Sequence, residues 1–460
     1  MGTLQLPIGS YERHTGSVIR LLNCYAEQGH PQSKGPVLLN RIPGTDSWGT
    51  ASTAGVRGSI VWNETVYTVI GSKLYSLDNT GAFTSIGTIT GSGRVQMCAG
   101  TYLGVVNATG AGWTYDGTTL AAISDADFPS SASGATMLDD YMVCFNSGSN
   151  RVHASDQGDF TSWGALSYDD AIGANDDVIG VIAGQSKLYI GGERSTEIWW
   201  NAGLSPFPFQ RIPNGVIDIG LAAQHSQAII DNSMCWFAHD GTVRVLRGLT
   251  AQRISNHANE AKFASYSNPE TAFALPMTFR GHTWYVLTFP EQATWVRDFN
   301  TGEWFECESL GYDAWHIDAY VRAYGHDLVF YDDSVGKLSE GTHDEFGTEI
   351  QALWTYPSVY GHGRRALHKR FEIRADVGIG NASVTNPAIT LYISDDGGKT
   401  WTALPTRSMG AVGKYQTGLV WTRLGSSEDR VYRCGMSDPA QLAIWATELE
   451  ADGARLIGAR

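Results

Sequence analysis

The sequence predicts a mainly β protein: a six- or seven-bladed β-propeller, an additional C-terminal antiparallel, sandwich-like β module, and an extended N-terminal arm. Three observations lead to this prediction. Long helical patterns are nearly absent, 53 of the 460 residues are glycine, and an apolar strand–turn–strand unit recurs along the middle of the chain. Glycine supplies the positive backbone angles that tight turns need, so many turns imply many short strands.

The repeated unit begins with an apolar strand, turns into a second strand that ends near YDG, HDG, DFNTG or LDNTG, and closes with a shorter third strand. Seven units begin at residues 64, 100, 140, 186, 232, 281 and 325. This spacing is close to the roughly 40–50 residues of a four-stranded propeller blade. The first or last unit could belong to another module, which leaves six or seven blades. We interpret the aromatic residues near the strands as blade packing: Tyr67, Trp113, Tyr141, Trp199, Trp236 and Trp284.

The repeat divides the chain into three predicted parts. Residues 1–45 carry no blade pattern and are expected to form the arm, 46–350 the propeller, and 351–460 the C-terminal β module. No basic and apolar leader is recognisable at the N-terminus, and no run of 18 apolar residues occurs, so we expect neither secretion nor membrane insertion. The six cysteines form no CxxC pair and are expected to be buried thiols of a protein that folds in a reducing compartment.

One short motif, SDDGGKTW, begins at residue 394 and fits the Asp-box pattern S-x-D-x-G-x-T-W. Asp-boxes recur in sialidases and other propeller glycosidases, usually in several successive blades. Here the motif occurs once and outside the repeat. We therefore interpret Ser394, Asp396, Gly398, Thr400 and Trp401 as a structural hairpin, in which Asp396 binds turn amides and Trp401 packs beneath them.

A catalytic site is not predicted. A sialidase-like site needs converging arginines, a tyrosine nucleophile and an acid/base carboxylate, and the sequence does not place such groups together. The histidines, cysteines and acids show no metal-ligand spacing, and no phosphate-binding or dinucleotide-binding loop occurs. We expect no enzyme, no catalytic or metal residues and no cofactor. A carbohydrate- or receptor-binding propeller, or a sialidase-like glycosidase, stays open as the alternative.

The most basic stretch, YGHGRRALHKRFEIRADVG, begins at residue 360. It could be a solvated strand edge that prevents aggregation, or a contact with an acidic partner or another subunit. We call its cations the basic cluster: Arg364, Arg365, Lys369, Arg370 and Arg374. The formal net charge of −15 argues against tight non-specific DNA binding, which requires neutralisation of phosphates.

Several segments, taken in order, resemble the packaged-DNA stabilisation proteins of short-tailed phages, also called tail hub or nozzle proteins. LP at Leu6–Pro7 and PG at Pro43–Gly44 resemble the family's N-terminal arm. The resemblance runs from Leu6 to Glu349. Its longer segments are GSGRVQM from 91, VIGVIAGQSKLYIGGERSTEIWW from 178, NGVIDIGLAAQHSQAIIDNSMCWFAHDGTVRVLRG from 214, and TWVRDFNTGEWFECES from 294.

The resemblance implies a virion structural protein in the phage tail, assembled in the bacterial host cytoplasm. It implies a ring, commonly a hexamer, that retains packaged DNA, continues the ejection channel and carries fibres or a needle. The implied partners are further copies of the chain, the portal-adaptor protein, a tail fibre or tailspike, and a tail needle or plug. Double-stranded DNA would pass through without sequence-specific binding, which the acidic charge favours. The basic cluster, together with Leu6 and Pro7, is the candidate subunit or adaptor interface.

Overall fold

The structure is a computed structural model that describes residues 2–13, 17–30, 32, 34–174, 176–361 and 363–452. Strands account for 55% of the chain and helices for 3%, which confirms the mainly β prediction. The chain forms two compact units. The propeller unit comprises residues 47–290 and 316–337, and the sandwich unit comprises residues up to 46, 291–315 and those from 338 onward.

The propeller unit contains five four-stranded antiparallel sheets in which every strand pairs with its neighbours in sequence. We number these blades along the chain: blade 1 covers 56–88, blade 2 covers 95–122, blade 3 covers 132–170, blade 4 covers 178–217 and blade 5 covers 228–253. Because each hairpin is short and local, the fold follows directly from the repeat. The propeller prediction is confirmed, with a blade count inside the predicted range.

The strands of the first three blades are Val56–Trp62, Thr65–Ile70, Lys73–Leu77, Phe83–Thr88, Val95–Ala99, Leu103–Asn107, Gly112–Tyr115, Leu120–Ala122, Ala132–Leu138, Tyr141–Asn146, Arg151–Asp156 and Asp159–Asp170. Those of blades 4 and 5 are Val178–Gly184, Lys187–Gly192, Thr196–Asn201, Phe209–Ile217, Ala228–Ile230, Ser233–Phe237, Val243–Arg247 and Thr250–Arg253. Two further antiparallel groups follow, Phe273–Phe279 with His282–Phe289, and Ala319–Ala323 with His326–Tyr331 and Ser334–Ser339. The helical segments are Gln224–Ser226, His257–Phe263 and Pro269–Thr271.

Aspartate side chains stabilise the turns between blade strands that carry the LDNTG, YDG and HDG sequences of the repeat. The carboxylate of Asp78 accepts hydrogen bonds from the amides of Thr80 at 2.8 Å and Ala82 at 3.0 Å. Asp116 and Asp240 bind the amides two residues further on, at 2.7 and 3.1 Å. The following glycines, such as Gly117 with φ of +97°, adopt the left-handed backbone that completes such turns.

Aromatic side chains fill the space between neighbouring blades. Trp62, Tyr67 and Tyr115 of blades 1 and 2 meet with ring centroids 5.6 to 5.9 Å apart, and the indole of Trp62 donates to the carbonyl oxygen of Gly100 at 2.8 Å. A blade has two apolar faces, so burial of both requires a neighbour on each side. The aromatic residues predicted to pack blades are buried, except Tyr141, which is partly buried against Phe209.

The sandwich unit contains two sheets. The first has the strand order Leu419–Thr422, Ala366–Ala375, Ala443–Asp452, Val37–Arg41, Cys24–Gln28, with Gly2–Leu4 and Ser426–Ser427 attached. The strands of the second within this unit are Ala293–Asp298, Trp304–Cys307, Leu21–Leu22, Ala352–Thr355, Asp429–Met436, Ala388–Ser394, Thr402–Ala403, Val359–Tyr360 and Arg407–Ser408. Phe371 of the first sheet stacks on Tyr432 of the second at 4.8 Å, so the core lies between the sheets. The remaining strands are Tyr11–Arg13, Ser17–Ile19, Gly44–Thr50, Asp344–Glu345 and Thr348–Glu349.

The N-terminal segment differs from the extended arm predicted for residues 1–45. Val37–Arg41 lies between Cys24–Gln28 and the C-terminal strand Ala443–Asp452, and Leu21–Leu22 pairs with Ala352–Thr355. Several of its apolar side chains, among them Leu21 and Leu39, are fully buried. Residues 291–315 and 338–350, which we assigned to the propeller part, also group with the sandwich unit. All six cysteines are buried thiols.

Candidate functional site

The propeller axis contains a cavity of about 420 Å³. The first strand of every blade contributes to its wall, because these strands run innermost. The polar side chains in the wall include Arg94, Gln96, His225, Gln227 and Tyr320. They come from positions far apart in sequence that the closed ring brings to one axis.

Arg94 is the cation in this wall. Its Nη2 donates to the carbonyl oxygen of Asp318 at 2.7 Å, and its guanidinium carbon lies 3.8 Å from the centre of the Phe273 ring. Burial lowers the pKa of Arg94 to about 10, while Asp318 opposes this shift. Arg94 therefore keeps its charge at neutral pH in a poorly solvated position.

The neighbouring groups are neutral. Burial, together with the charge of Arg94, lowers the pKa of His225 to about 3, so its imidazole is uncharged at neutral pH. Gln227 is only 8% exposed, and among the described residues neither its Oε1 nor its Nε2 has a hydrogen-bond partner. The hydroxyl of Tyr320 binds the carboxylate of Asp327 at 2.7 Å.

Two of the blade arginines are held by contacts with backbone or turn groups. Arg57 is buried, and its Nε and Nη1 donate to the carbonyl oxygens of Gly93 and Gly71 at 2.6 and 3.1 Å. Arg244 forms an ion pair with the turn residue Asp240 at 2.7 Å. Because both arginines are already bound to backbone or turn groups, they are not available to bind a substrate carboxylate.

The basic cluster lies largely on Ala366–Ala375, which we call the basic strand. It is an interior strand, paired with Leu419–Thr422 on one side and Ala443–Asp452 on the other, so the edge-strand interpretation is wrong. Acidic side chains on the same and the adjacent strand balance its charges. Lys369 Nζ lies 2.6 Å from the carboxylate of Asp452, a contact that raises the pKa of the lysine.

The other cations of the cluster fall into two groups. Arg374 pairs with Glu372 at 2.9 Å and with Glu448 at 3.6 Å, and Arg370 also pairs with Glu372. Arg364 and Arg365 are exposed and have no ion pair among the described residues. Arg365 Nη2 donates to the backbone oxygen of Ser426 at 2.7 Å. Only these last two charges remain available to a partner.

Leu6 and Pro7 are buried inside the chain. Leu6 is 8% exposed. Their assignment to a subunit or adaptor interface was based on the arm being extended, and the burial of both side chains does not support it. Sequence reasoning missed this because the segment has no strand-like alternation.

The Asp-box residues form a tight hairpin at the end of Ala388–Ser394. Asp396 accepts hydrogen bonds from the amides of Lys399 and Thr400, both at 2.9 Å, and from the Thr400 hydroxyl at 2.6 Å. The Thr400 hydroxyl and amide are the main cause of a pKa well below the usual range for Asp396. Ser394 Oγ donates to Asp396 and accepts from the amide of Gly398 at 2.8 Å. Both carboxylate oxygens of Asp396 accept hydrogen bonds within the turn.

Two further contacts attach this hairpin to the sandwich. The guanidinium of Arg433 lies 3.8 Å from the ring of Trp401. Asp395 forms a bidentate ion pair with Arg430, at 2.6 and 2.7 Å, and Arg430 is 3% exposed. The partner of Asp395 lies 35 residues away along the chain, so the sequence gives no local signal for this ion pair.

Within the described residues, no group of three or more His, Cys, Asp or Glu side chains is placed to hold a metal ion. In the same part of the chain, no helix has the length and apolar character needed to cross a membrane. The Asp-box hairpin and most of the basic cluster are accounted for by turn hydrogen bonds and ion pairs.

Comparison with known families decides the identity. Residues 19–340 match the family model described as bacteriophage P22 Gp10, β-propeller, and residues 352–452 match the model described as bacteriophage P22 Gp10, β-sandwich. The chain belongs to the phage P22 Gp10 family. Gp10 proteins are structural virion proteins that stabilise packaged DNA, and they are not enzymes. Membership confirms the resemblance to packaged-DNA stabilisation proteins and the predicted C-terminal sandwich.

Three of the solved structures that resemble this chain are distantly similar to it. The computationally designed Ika8 protein is 12% identical with a TM-score of 0.39, covering 64% of this chain and 99% of its own. The Pan2 WD40 domain of Neurospora crassa is 10% identical with a TM-score of 0.40, covering 64% and 96%. The extracellular domain of BT4673, a putative one component system from B. thetaiotaomicron, is 10% identical with a TM-score of 0.43, covering 87% and 59%. No curated protein matches the chain.

Proposed function

We propose that this chain forms a ring, commonly a hexamer, in the tail of a short-tailed phage, where it is the hub or nozzle below the portal-adaptor. In this role it retains the packaged genome, continues the ejection channel and carries a fibre or tailspike and a needle or plug. The observation that carries the proposal is the match of both modules, 19–340 and 352–452, to one packaged-DNA stabilisation family. The role explains why the chain combines a rigid propeller with a sandwich and no reaction centre.

The charge of the chain supports passage of DNA rather than capture of it. The sequence has 47 acidic and 32 basic residues, and most of the basic cluster is neutralised by neighbouring acids. DNA binding grows with the number of phosphates that free cations neutralise. A protein with few uncompensated cations lets a duplex slide without sticking.

Contacts between copies need exposed apolar surface, and blades 3 and 4 supply it. Leu166 is 66% exposed and Ile172 is 72% exposed, both at the outer strand of blade 3. Trp200 and Leu204 are exposed on blade 4. Exposed apolar side chains in neighbouring elements mark protein interaction surfaces, and aromatic residues among them often dominate the binding energy. We assign the ring contact to these two blades.

The exposed pair Arg364 and Arg365 is the candidate contact for an acidic partner such as the adaptor. Neither arginine forms an ion pair with a described residue, in contrast to Lys369 and Arg374. Arginine binds carboxylates in a bidentate manner, which gives such a contact orientation as well as affinity. A double charge reversal at 364 and 365 weakens adaptor binding most strongly at low salt.

Electron microscopy of the chain mixed with its portal-adaptor tests the proposal. We expect a ring with a central opening wide enough for duplex DNA. Trp200→Glu and Leu166→Glu prevent ring formation while leaving the monomer folded, because a charge cannot be buried without a partner. Leu249→Glu, at an exposed apolar position on blade 5, is the matched control and leaves the ring intact. A chain that stays monomeric with every adaptor preparation contradicts the proposed role.

A further inference from the structure

The cavity on the propeller axis contains a cation, Arg94, that forms no ion pair with any described residue, although the charge of Asp318 is near enough to raise its pKa. A guanidinium has five N–H donors. The structure gives Arg94 one hydrogen bond, to a backbone oxygen, and one ring contact, with Phe273. Within the described part of the chain, no carboxylate lies at ion-pair distance from it. Most of the N–H donors of Arg94 therefore have no partner among the described residues.

The same cavity contains an amide with no partner. Gln227 is more than nine-tenths buried, and neither its oxygen nor its nitrogen is hydrogen-bonded within the described residues. Buried polar groups in native proteins nearly always have a partner, and an exception calls for an explanation. A bound molecule in the cavity would supply donors and acceptors to this side chain.

The composition of the wall favours one class of ligand. None of the described residues that line the cavity is Asp or Glu, although the chain as a whole carries a net charge of −15. The wall therefore offers one cation, Arg94, and the neutral groups His225 and Gln227. Such a wall gives an anion a positive charge to pair with and gives a metal cation no carboxylate ligand.

We propose that the axial cavity binds a compact oxyanion, a carboxylate or a phosphate, which pairs with Arg94 and hydrogen-bonds to Gln227 and His225. Guanidinium groups match the planar oxygens of both ligand types with paired hydrogen bonds. The volume of about 420 Å³ accommodates a molecule such as citrate or inorganic phosphate with its water. The inference concerns the propeller alone and does not depend on the ring proposed above.

Isothermal titration calorimetry on the full chain, dialysed into a chloride buffer, tests the proposal with inorganic phosphate and with citrate as probes. We expect saturable binding of at least one probe and a matching rise in the melting temperature. Sodium chloride at equal ionic strength produces neither effect. The two probes distinguish a phosphate site from a carboxylate site.

Arg94→Gln removes the charge and is expected to weaken binding about tenfold or more, because a charge-assisted contact is lost. Gln227→Leu is expected to weaken it less. Arg322→Gln, an exposed arginine of the same unit outside the cavity wall, is the matched control and binds as the natural chain does.

Two results overturn the proposal. One is the absence of saturable binding by either probe in the natural chain, which needs no variant and does not depend on whether Arg94→Gln folds. The other is binding by a folded Arg94→Gln variant that equals that of the natural chain. If Arg94→Gln does not fold, equal binding by folded Gln227→Leu and the natural chain also counts against the site.

Discussion

Acidification is expected to weaken the sandwich unit through one buried histidine. His368 is 1% exposed, and its two ring nitrogens lie 2.7 Å from the Tyr432 hydroxyl and 3.0 Å from that of Ser427. Burial, and then the nearby charge of Arg430, lowers the pKa of His368 to about 4 from the ordinary 6.5. The folded protein therefore holds this imidazole neutral under conditions that protonate it in the unfolded chain.

The sign and size of the effect follow from these two pKa values. Below the unfolded pKa the unfolded chain binds a proton that the folded chain does not, so stability falls as the pH falls. The loss begins below about pH 6.5 and reaches about 2.5 kcal/mol near pH 4.5, then levels off below the folded pKa. A loss of this size is a substantial fraction of a typical folding free energy.

Guanidinium denaturation near pH 7 and near pH 4.5 measures this difference for the natural chain and for His368→Gln. The variant has no titrating ring at position 368, so its stability should fall by about 2.5 kcal/mol less between the two pH values. His257→Gln, at an exposed position, is the control and should behave as the natural chain does. Equal pH dependence in the natural chain and His368→Gln would refute the reasoning.

The other predictions concern the sandwich core and its hairpin. Phe371→Ala should lower the free energy of unfolding by about 3–5 kcal/mol, measured with denaturant, because its ring is fully buried against Tyr432. Leu367→Ala, at an exposed position on the same strand, is the control and should change the free energy of unfolding little. Asp395→Asn should lower the free energy of unfolding by about 1–3 kcal/mol because it leaves the buried Arg430 without its carboxylate. Asp376→Asn, at an exposed position, is the control. Equal denaturation midpoints for the two variants would contradict this prediction. Asp396→Ala should speed tryptic cleavage after Lys399, read by mass spectrometry, with cleavage elsewhere unchanged.

The features that the sequence reveals are those encoded locally. The propeller was predictable because each blade is a meander whose turns carry Asp and Gly at short spacing, as at Asp116 and Gly117. The Asp-box hairpin is local in the same sense, since Ser394, Asp396 and Thr400 bind one another within a few residues. Short-range turn chemistry needs no knowledge of the rest of the fold.

The features that sequence reasoning missed depend on distant pairing. Leu21–Leu22 becomes a strand because Trp304–Cys307 and Ala352–Thr355 lie on either side of it, and a run of two leucines carries no period from which to infer this. The sequence indicates only a cluster of basic residues on the basic strand, because the acidic residues that pair with them, such as Asp452, belong to another strand. Arg94 and His225 come together at the axis only after the ring has closed, so the cavity could not be predicted from the sequence.

Retention of packaged DNA is the central function of this Gp10 family member, and particles assembled without it measure that function directly. We predict that filled heads made without this chain lose their DNA, detected by nuclease sensitivity and by empty heads in electron micrographs. Addition of the purified chain to particles that have just completed packaging should restore nuclease resistance. Particles that keep their DNA equally well with and without the chain would contradict the account.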